Sequence, residues 1–391
     1  MNPRILISAV VRWYLERTAE AFQKRESLCG LWMSNANRST VEARYYRRVW
    51  PYHVLKKPFY HLPFPDLEER TRFTFLKAYD LWVSRQTIPP ECNVVMGPMG
   101  SCTPLFELAD QARVPILKVV DAPNSHPAEY SRRWNSECDE FCPGYRIPFP
   151  DWAARRYAAE LEEAGLVLCP SIFVRDSMVA HGIAPEKCVI RHFGVDTRTF
   201  TPRETLPENP VFVCVGSICL RKGHQYLYRA FARLRKEYPT ARLLCIGGIR
   251  PDFRQEWPKW KGMIEHHPFL PHSEIAKVLR GATAFVLPSV EEGFARVLSE
   301  AMACGIPLVA THETGVSTVT ENGEVALIPE ARSVESLFSA MKQLVDDRKL
   351  NTEMGVRALA IGRVQNTWQD YGDAVLHAIS RRLDDGPPAV S

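Results

Sequence analysis

The chain has 391 residues, 46% hydrophobic and 24% charged, the balance of a soluble globular protein. That length admits two domains, each large enough to bury its own core, and a formal net charge of +4 is too small to argue for a nucleic-acid partner. Eleven cysteines are an odd number, and Cys169, Cys214 and Cys245 stand in apolar, strand-like contexts, so reduced thiols of a cytoplasmic protein are expected. Cys138 and Cys142 form a C-x3-C pair with no second pair or histidine nearby, which argues against a metal site.

The apolar run 5–11 is too short for a signal peptide or a membrane span and reads as a first strand. An amphipathic helix over 13–24 and a strand over 27–34 follow. Segment 44–60, RYYRRVWPYHVLKKPFY, interleaves cations with aromatic rings. Such a surface suits anionic lipid headgroups, or stacking on sugars or bases, or a helix and loop whose rings pack inward. Residues 93–97 form another buried strand, leading through a loop over 98–102 to a helix that Thr103 caps, with Pro104 at its first position. A strand at 115–120 precedes a stretch, 121–150, with no clear period. Helix 152–163, strand 166–169, helix 171–181 and strand 189–192 complete the first half, and 202–210 reads as a linker. The second half alternates in the same way: strand 211–217, helix 223–238, strand 241–248 and helix 273–280. Beyond residue 310 come a strand at 326–328 and helices at 333–346 and 352–363. Thr367 and Asp370 then form a capping box for a last amphipathic helix ending near 383, and a flexible tail is expected after it. Two doubly wound sheets with a cleft between them would give this alternation.

The chemistry gathers in 284–310, AFVLPSVEEGFARVLSEAMACGIPLVA. A strand breaks at Pro288–Ser289, and the acidic loop Val290, Glu291, Glu292 leads to a helix expected to start at Gly293–Phe294. That helix closes at Gly305, a left-handed C-cap position, before a strand at 308–310. In such βαβ units ligands sit at the carboxyl ends of the strands. Glu292 and Glu300 flank the helix start, where the amides of Gly293 and Phe294 would offer an anion site. Carboxylates for hydroxyls beside amides for phosphates suit a sugar nucleotide. A second motif, VGSICLRKG over 215–223, places Arg221 and Lys222 just before a helix. Their charge could stabilise a departing nucleoside diphosphate, Lys222 as a point charge and Arg221 as a bidentate fork. There is no D-x-D triplet, and with these cations no metal is required.

EGFARVLSEAMACGIPLVA also resembles the signature of the family 4 retaining glycosyltransferases of the GT-B fold. VGSICLRKG is similar to that family's G-R-L-x-x-x-K-G segment, with Lys222 on its lysine and Ser217 where arginine often stands. PSIFVRDSMVAHGIAPEKCVIRHFGVDTRTFTP over 170–202 resembles a further family segment through Gly194, Val195, Asp196, Phe200 and Pro202, read as structural. The resemblance implies two Rossmann-like domains facing across a cleft: an acceptor domain, 1–200, and a nucleotide-sugar domain, 201–365. It also implies that segment 366–391 holds a helix, with Trp368, crossing back to the first domain. The implied donor site comprises Gly216, Ser217, Gly293, Phe294, Ala295, Arg296 and Glu300, with Glu300 on the ribose. The implied catalytic set is Glu292, Lys222, Arg221 and His126, the histidine of DAPNSHP (121–127) facing the donor sugar. The family's N-terminal glycine-rich loop is absent, Val10, Val11, Arg12 and Trp13 standing in its place, so loop 97–102 is expected to supply part of the cleft floor.

The resulting expectation is a cytoplasmic, retaining glycosyltransferase using a UDP- or GDP-sugar as co-substrate and a glycan, glycolipid or small-molecule hydroxyl as acceptor. Contact with the inner face of an anionic membrane through 44–60 is a further expectation. A sugar-nucleotide epimerase or hydrolase on the same fold, or a catalytically silent binding protein, are the alternatives.

Overall fold

The computed structural model describes residues 2–10, 14–33, 40–49, 67–364 and 367–385, with side chains from residue 73 onward in the helix that begins at Leu67. Among them the first unit builds a seven-stranded parallel sheet. Its strands are β1 (Ile5–Ala9), β2 (Leu28–Met33), β3 (Tyr46–Arg48), β4 (Val94–Pro98), β5 (Leu117–Asp121), β6 (Leu166–Cys169) and β7 (Cys188–Ile190), in the order β3-β2-β1-β4-β5-β6-β7. The second sheet, also parallel, is built from β8 (Val211–Val215), β9 (Arg242–Ile246), β10 (Glu265–His267), β11 (Ala284–Leu287), β12 (Leu308–Ala310) and β13 (Ala326–Leu327), in the order β10-β9-β8-β11-β12-β13. Strands such as ILISA in β1 and AFVL in β11 are buried along their whole length, because helices cover both faces of a parallel sheet. In each sheet the strand order reverses between two central neighbours: β1 and β4 in the first, β8 and β11 in the second. The loops leaving those strands diverge there and open a crevice.

The helices of the first unit are α1 (Leu15–Lys24), α2 (Leu67–Val83), α3 (Thr103–Asp110), α4 (Pro127–Phe141), α5 (Asp151–Glu163) and α6 (Ile172–Ala180). Those of the second are α7 (His224–Glu237), α8 (His272–Arg280), α9 (Arg296–Ala303), α10 (Val334–Asp346) and α11 (Arg348–Arg363). The last helix, α12 (Trp368–Asp384), carries the capping box of Thr367 and Asp370. It lies on the first unit, not the second: Tyr371, Val375 and Ile379 join the core beneath β1, and Asp373 pairs with Arg25 at 2.6 Å.

Three local departures from the sequence reading have physical causes. The span 121–150, without an obvious period, contains the 15-residue helix α4. Its apolar side chains serve two surfaces, so no single stripe repeats. Trp134, Cys138 and Cys142 enter the core of the second unit beside Phe212 and Leu227, and the Trp134 indole donates to the buried Asp252 at 2.8 Å. Second, Thr103 does not cap α3 with its own side chain; it is the first helical residue. The cap comes from α5, where the buried Glu160 carboxylate accepts from the amides of Gly100, Cys102 and Thr103 and from the Thr103 hydroxyl. A carboxylate at a helix N-terminus satisfies donors that the helix itself leaves open. Third, the edge strand β10 lies within a span, 249–272, for which the sequence suggested no element.

All eleven cysteines are free thiols. Of the basic–aromatic segment 44–60, Arg44 to Val49 form a short turn and the edge strand β3; positions 50–60 lie outside the described residues. Among the described residues no helix is long and apolar enough to cross a membrane.

Candidate active site

The crevice of the second sheet opens into a cleft of about 460 Å³ between the two units. Lys222, Glu292 and Glu300 line it, with Gly216 and the segment Phe294–Val297; Tyr14, Pro123, Asn124 and Phe193 form the opposite wall. His272 and Ile275 of α8 close the far end.

Lys222 sits on the loop between β8 and α7, its ammonium 2.7 Å from the Glu292 carboxylate. The lysine passes directly over Gly216. A Cβ added there would stand 2.9 Å from Nζ, and the backbone φ of 134° is one that L side chains rarely adopt. Glycine at 216 is therefore what lets the cation reach the cleft. Burial opposes ionisation of Glu292, but the Arg221 and Lys222 charges outweigh it and hold its carboxyl down at about 2. Glu300 is the opposite case. It projects from the middle of α9, only 9% exposed, with no hydrogen-bond partner among the described side chains. Burial pushes its carboxyl up to about 7, opposed only by Arg296. An acid poised this way is an unfilled acceptor, suited to a ligand's hydroxyl pair.

Arg221 takes a different place from the one the sequence suggested. Its guanidinium is turned out of the cleft lining and donates to the Glu291 carboxylate and carbonyl, both at 2.8 Å, with Glu292 at 3.6 Å. It also lies 5.8 Å from the rings of Tyr130 and Trp134 on α4. Glu291, fully buried, is a junction: its other oxygen accepts from the Ser125 hydroxyl at 2.8 Å and the Ser125 amide at 3.2 Å. The loop after β11 is thus tied both to the basic pair and to the first unit.

His126 is likewise outside the cleft lining. Its ring caps α4 by accepting from the Ala128 amide at 3.3 Å and stacks on His181 at 4.3 Å. Burial and that neighbouring imidazole lower its pKa to about 4. Pro123 and Asn124, a few residues earlier, occupy the wall expected of the histidine. Ser217 is exposed beside the cleft and not part of its lining.

The helix expected to begin at Gly293 begins at Arg296. The Ala295 amide donates to the Thr314 carbonyl at 3.1 Å, which removes it from the set of donors open to a ligand. The amides of Gly293 and Phe294 donate to no acceptor among the described residues. Gly293 is packed against the first unit so tightly that a Cβ would stand 1.6 Å from the Pro123 carbonyl oxygen. Its own carbonyl accepts from Ser171 at 2.6 Å, and the Phe294 ring lies 5.6 Å from His192 and 6.4 Å from Phe193. Gly305 has the expected left-handed φ, 70°. Sequence reasoning missed Tyr14, Asn124, Phe193 and His272 as walls and Glu291 as the junction. Only Glu291 carried a signal, as the first acid of the E-E-G step.

Two parallel doubly wound sheets, with the charged cleft at the switch point of the second and a last helix returning to the first, define the GT-B architecture. Residues 196–360 match the family described as glycosyl transferases group 1. Among curated relatives it is 29% identical over 198 residues to a D-inositol 3-phosphate glycosyltransferase of Paenarthrobacter aurescens, covering 46% of this chain and 48% of that one. It is 29% identical over 263 residues to a GDP-mannose-dependent alpha-(1-6)-phosphatidylinositol monomannoside mannosyltransferase of Mycolicibacterium smegmatis, covering 61% of this chain and 67% of that one. The chain thus spans about half the length of the first of these relatives. Among solved structures, sucrose-phosphate synthase of Thermosynechococcus elongatus shares the fold with a TM-score of 0.73 at 17% identity, covering 98% of this chain and 100% of that one. Anabaena HepE in complex with UDP does so at 0.67 and 15%, covering 97% and 100%.

Proposed function

We propose that the protein is a retaining glycosyltransferase of family 4 type, moving a sugar from a UDP- or GDP-sugar to an acceptor hydroxyl without a metal ion. One observation carries the reading: a lysine–glutamate pair and a separate, unpaired buried glutamate line one cleft at the switch point of the second sheet. In this scheme Glu300 ionises and accepts from the two ribose hydroxyls. Lys222 meets the diphosphate, with the Gly293 and Phe294 amides as added donors. Arg221 supports Lys222 through Glu291 and Glu292, and Arg296 beside Glu300 adds positive charge at the same end. Glu292, freed from Lys222 as the phosphate takes the cation, turns to the sugar hydroxyls. The bond from the anomeric carbon to the phosphate oxygen breaks, the acceptor oxygen bonds that carbon from the same face, and the acceptor proton passes to the departing phosphate. Positive charge held where negative charge develops is what accelerates such a step. Ser217 borders the donor without a charge of its own, and His126 acts by setting the start of α4 and hence the position of Asn124.

The two relatives named above, a D-inositol 3-phosphate glycosyltransferase and a GDP-mannose-dependent mannosyltransferase, and the UDP held by the HepE neighbour support a nucleotide-sugar donor and a hydroxyl acceptor. The test is to incubate the purified chain with UDP-glucose and GDP-mannose, with and without a sugar acceptor and with EDTA present, and to follow the anomeric configuration by NMR. Acceptor-dependent product with retained configuration in EDTA is expected. Donor consumption at the same rate without acceptor would instead indicate an epimerase or hydrolase, and tight donor binding with no turnover a silent binding protein.

A further inference from the structure

Phe193 lines the cleft, while His192 and Gly194 on either side of it line a second cavity, of about 190 Å³. This cavity lies where the polypeptide passes twice between the units. The first crossing leaves β7 through Arg191 and His192; the second returns at Thr367 into α12, and Val195 and Thr367 pair in a parallel bridge. Gly194 lets the crossings meet, since a Cβ there would stand 2.5 Å from the Thr367 carbonyl carbon and from the Trp368 nitrogen. Thr367, Asp370 and Ala374 contribute to the facing wall. The space is smaller than the roughly 300 Å³ at which pockets for drug-sized ligands begin, so it suits a small ion and its water.

Three polar groups on these walls have unused capacity. The half-buried Arg191 donates from Nε to the Ala374 carbonyl at 3.3 Å and from Nη1 to the Ile190 carbonyl at 2.6 Å. It forms no ion pair among the described residues, and its Nη2 donates to none of them. The Nδ1 atom of His192 is buried without a hydrogen-bond partner. Asp370 spends Oδ2 on the capping box, accepting from the Thr367 amide at 2.9 Å and hydroxyl at 2.7 Å, and its Oδ1 accepts from no described residue. A guanidinium stays charged at any physiological pH, and a half-buried cation with only neutral acceptors is completed by an anion. The free Asp370 oxygen narrows the choice of anion. It repels one that can only accept, such as sulfate, but takes a hydrogen bond from one that still carries a proton.

We propose that this cavity binds hydrogen phosphate, with Arg191 and His192 donating to its oxygens and Asp370 Oδ1 accepting from its P–OH group. The ion would join the first crossing to the start of α12, at a site separate from the cleft and independent of the donor reading. The His192 ring also lies 5.6 Å from the Phe294 ring, so the occupant steadies a side chain on which the loop after β11 packs.

The test is equilibrium dialysis of the full chain against radiolabelled inorganic phosphate at pH 8, with unlabelled phosphate, sulfate and methyl phosphate as competitors. Saturable binding is expected, with sulfate competing at least about tenfold less well than phosphate. Methyl phosphate should also compete poorly, because a phosphomonoester has lost its last proton at that pH. Arg191→Gln should weaken binding at least about tenfold, the loss of a charge-assisted hydrogen bond. His192→Phe should weaken it as well, and it carries the test if the glutamine variant does not fold. Lys222→Ala, which removes the cation of the cleft, should leave binding unchanged. Asp370→Asn, whose amide can donate to sulfate, should erase the preference for phosphate; a role confined to capping α12 would leave the preference intact. No saturable binding, sulfate competing as well as phosphate in the wild type, binding indifferent to both Arg191→Gln and His192→Phe, or binding lost in Lys222→Ala but kept in Arg191→Gln overturns the proposal.

Discussion

Lys222 and Glu292 face each other at 2.7 Å across the floor of the cleft, the lysine arriving from the loop after β8 and the glutamate from the loop after β11. The two loops leave neighbouring strands at the point where the strand order reverses, so the pair straddles the crevice itself. A cation held by a carboxylate that can let it go is a resting arrangement for an anion site.

Lys222→Ala removes the cation meant for the diphosphate and leaves Glu292 with Arg221 at 3.6 Å. Loss of one charge-stabilising donor of this kind lowers kcat by about 10²–10³. Gly216→Ala is the subtler version, because its methyl would stand 2.9 Å from the ammonium in a backbone conformation strained for alanine. Steady-state turnover should fall in both, with the circular dichroism spectrum of Lys222→Ala unchanged.

Glu300 gives a pH signature. Its folded pKa of about 7 lies above the 4.5 of an unperturbed glutamate, so between those values the folded state holds more protons than the unfolded state. Stability from this group is therefore full below about pH 4.5 and falls as pH rises through 7. Asp121, pushed to about 7 by burial, contributes in the same direction. Thermal melts from pH 5 to 8 should show Tm declining, and Glu300→Gln should flatten that slope while weakening nucleotide binding. Wild-type affinity for UDP or GDP should rise over the same interval as the carboxylate forms. A slope identical in the glutamine variant would rule out this account.

Glu291 should matter for function without touching ligand. In Ser125→Ala the junction keeps Arg221 and the Ser125 amide but loses the hydroxyl at 2.8 Å, a hydrogen bond to a charged group contributing about 1.5–3 kcal/mol. Glu291→Gln also removes the charge that holds Arg221, which is then free to compete with Lys222 for Glu292. The expected order of donor KM is wild type, then Ser125→Ala, then Glu291→Gln, measured at saturating acceptor.

Glu160→Ala tests the clamp on loop 97–102. Four donors lose their acceptor, and Arg156 loses one of its two acidic partners. Removing one member of a buried charged network typically destabilises by roughly 3–5 kcal/mol. Urea denaturation should reveal that loss as a lower midpoint.

Most of the strand–helix alternation was legible because buried parallel strands such as AFVL, and VFVCV beyond its first residue, write themselves as apolar runs. The cleft was legible where chemistry is local: Lys222, Glu292, Glu300 and Gly216 come from two short motifs and meet at one switch point. Partnerships made over long sequence distances were not legible. Nothing near Arg221 announces that Glu291 will hold it, and nothing near Thr103 announces Glu160, 57 residues on. His126 and Asn124 sit two residues apart, and only the fold decides that the ring turns inward to cap α4 while Asn124 takes the wall. The start of α9 was misplaced for a similar reason, since the Thr314 carbonyl holds Ala295 outside the helix.

The insertion of α4 into the neighbouring core bears on how the molecule can be cut. Severing the polypeptide near residue 200 to produce the halves separately would strip Trp134 from Asp252, and Glu137 from its partners Gln225, Tyr226 and Arg332. The carboxyl-terminal fragment would then present a greasy socket to solvent and would be prone to clump. A fragment meant to stand alone needs that helix supplied in trans or grafted back.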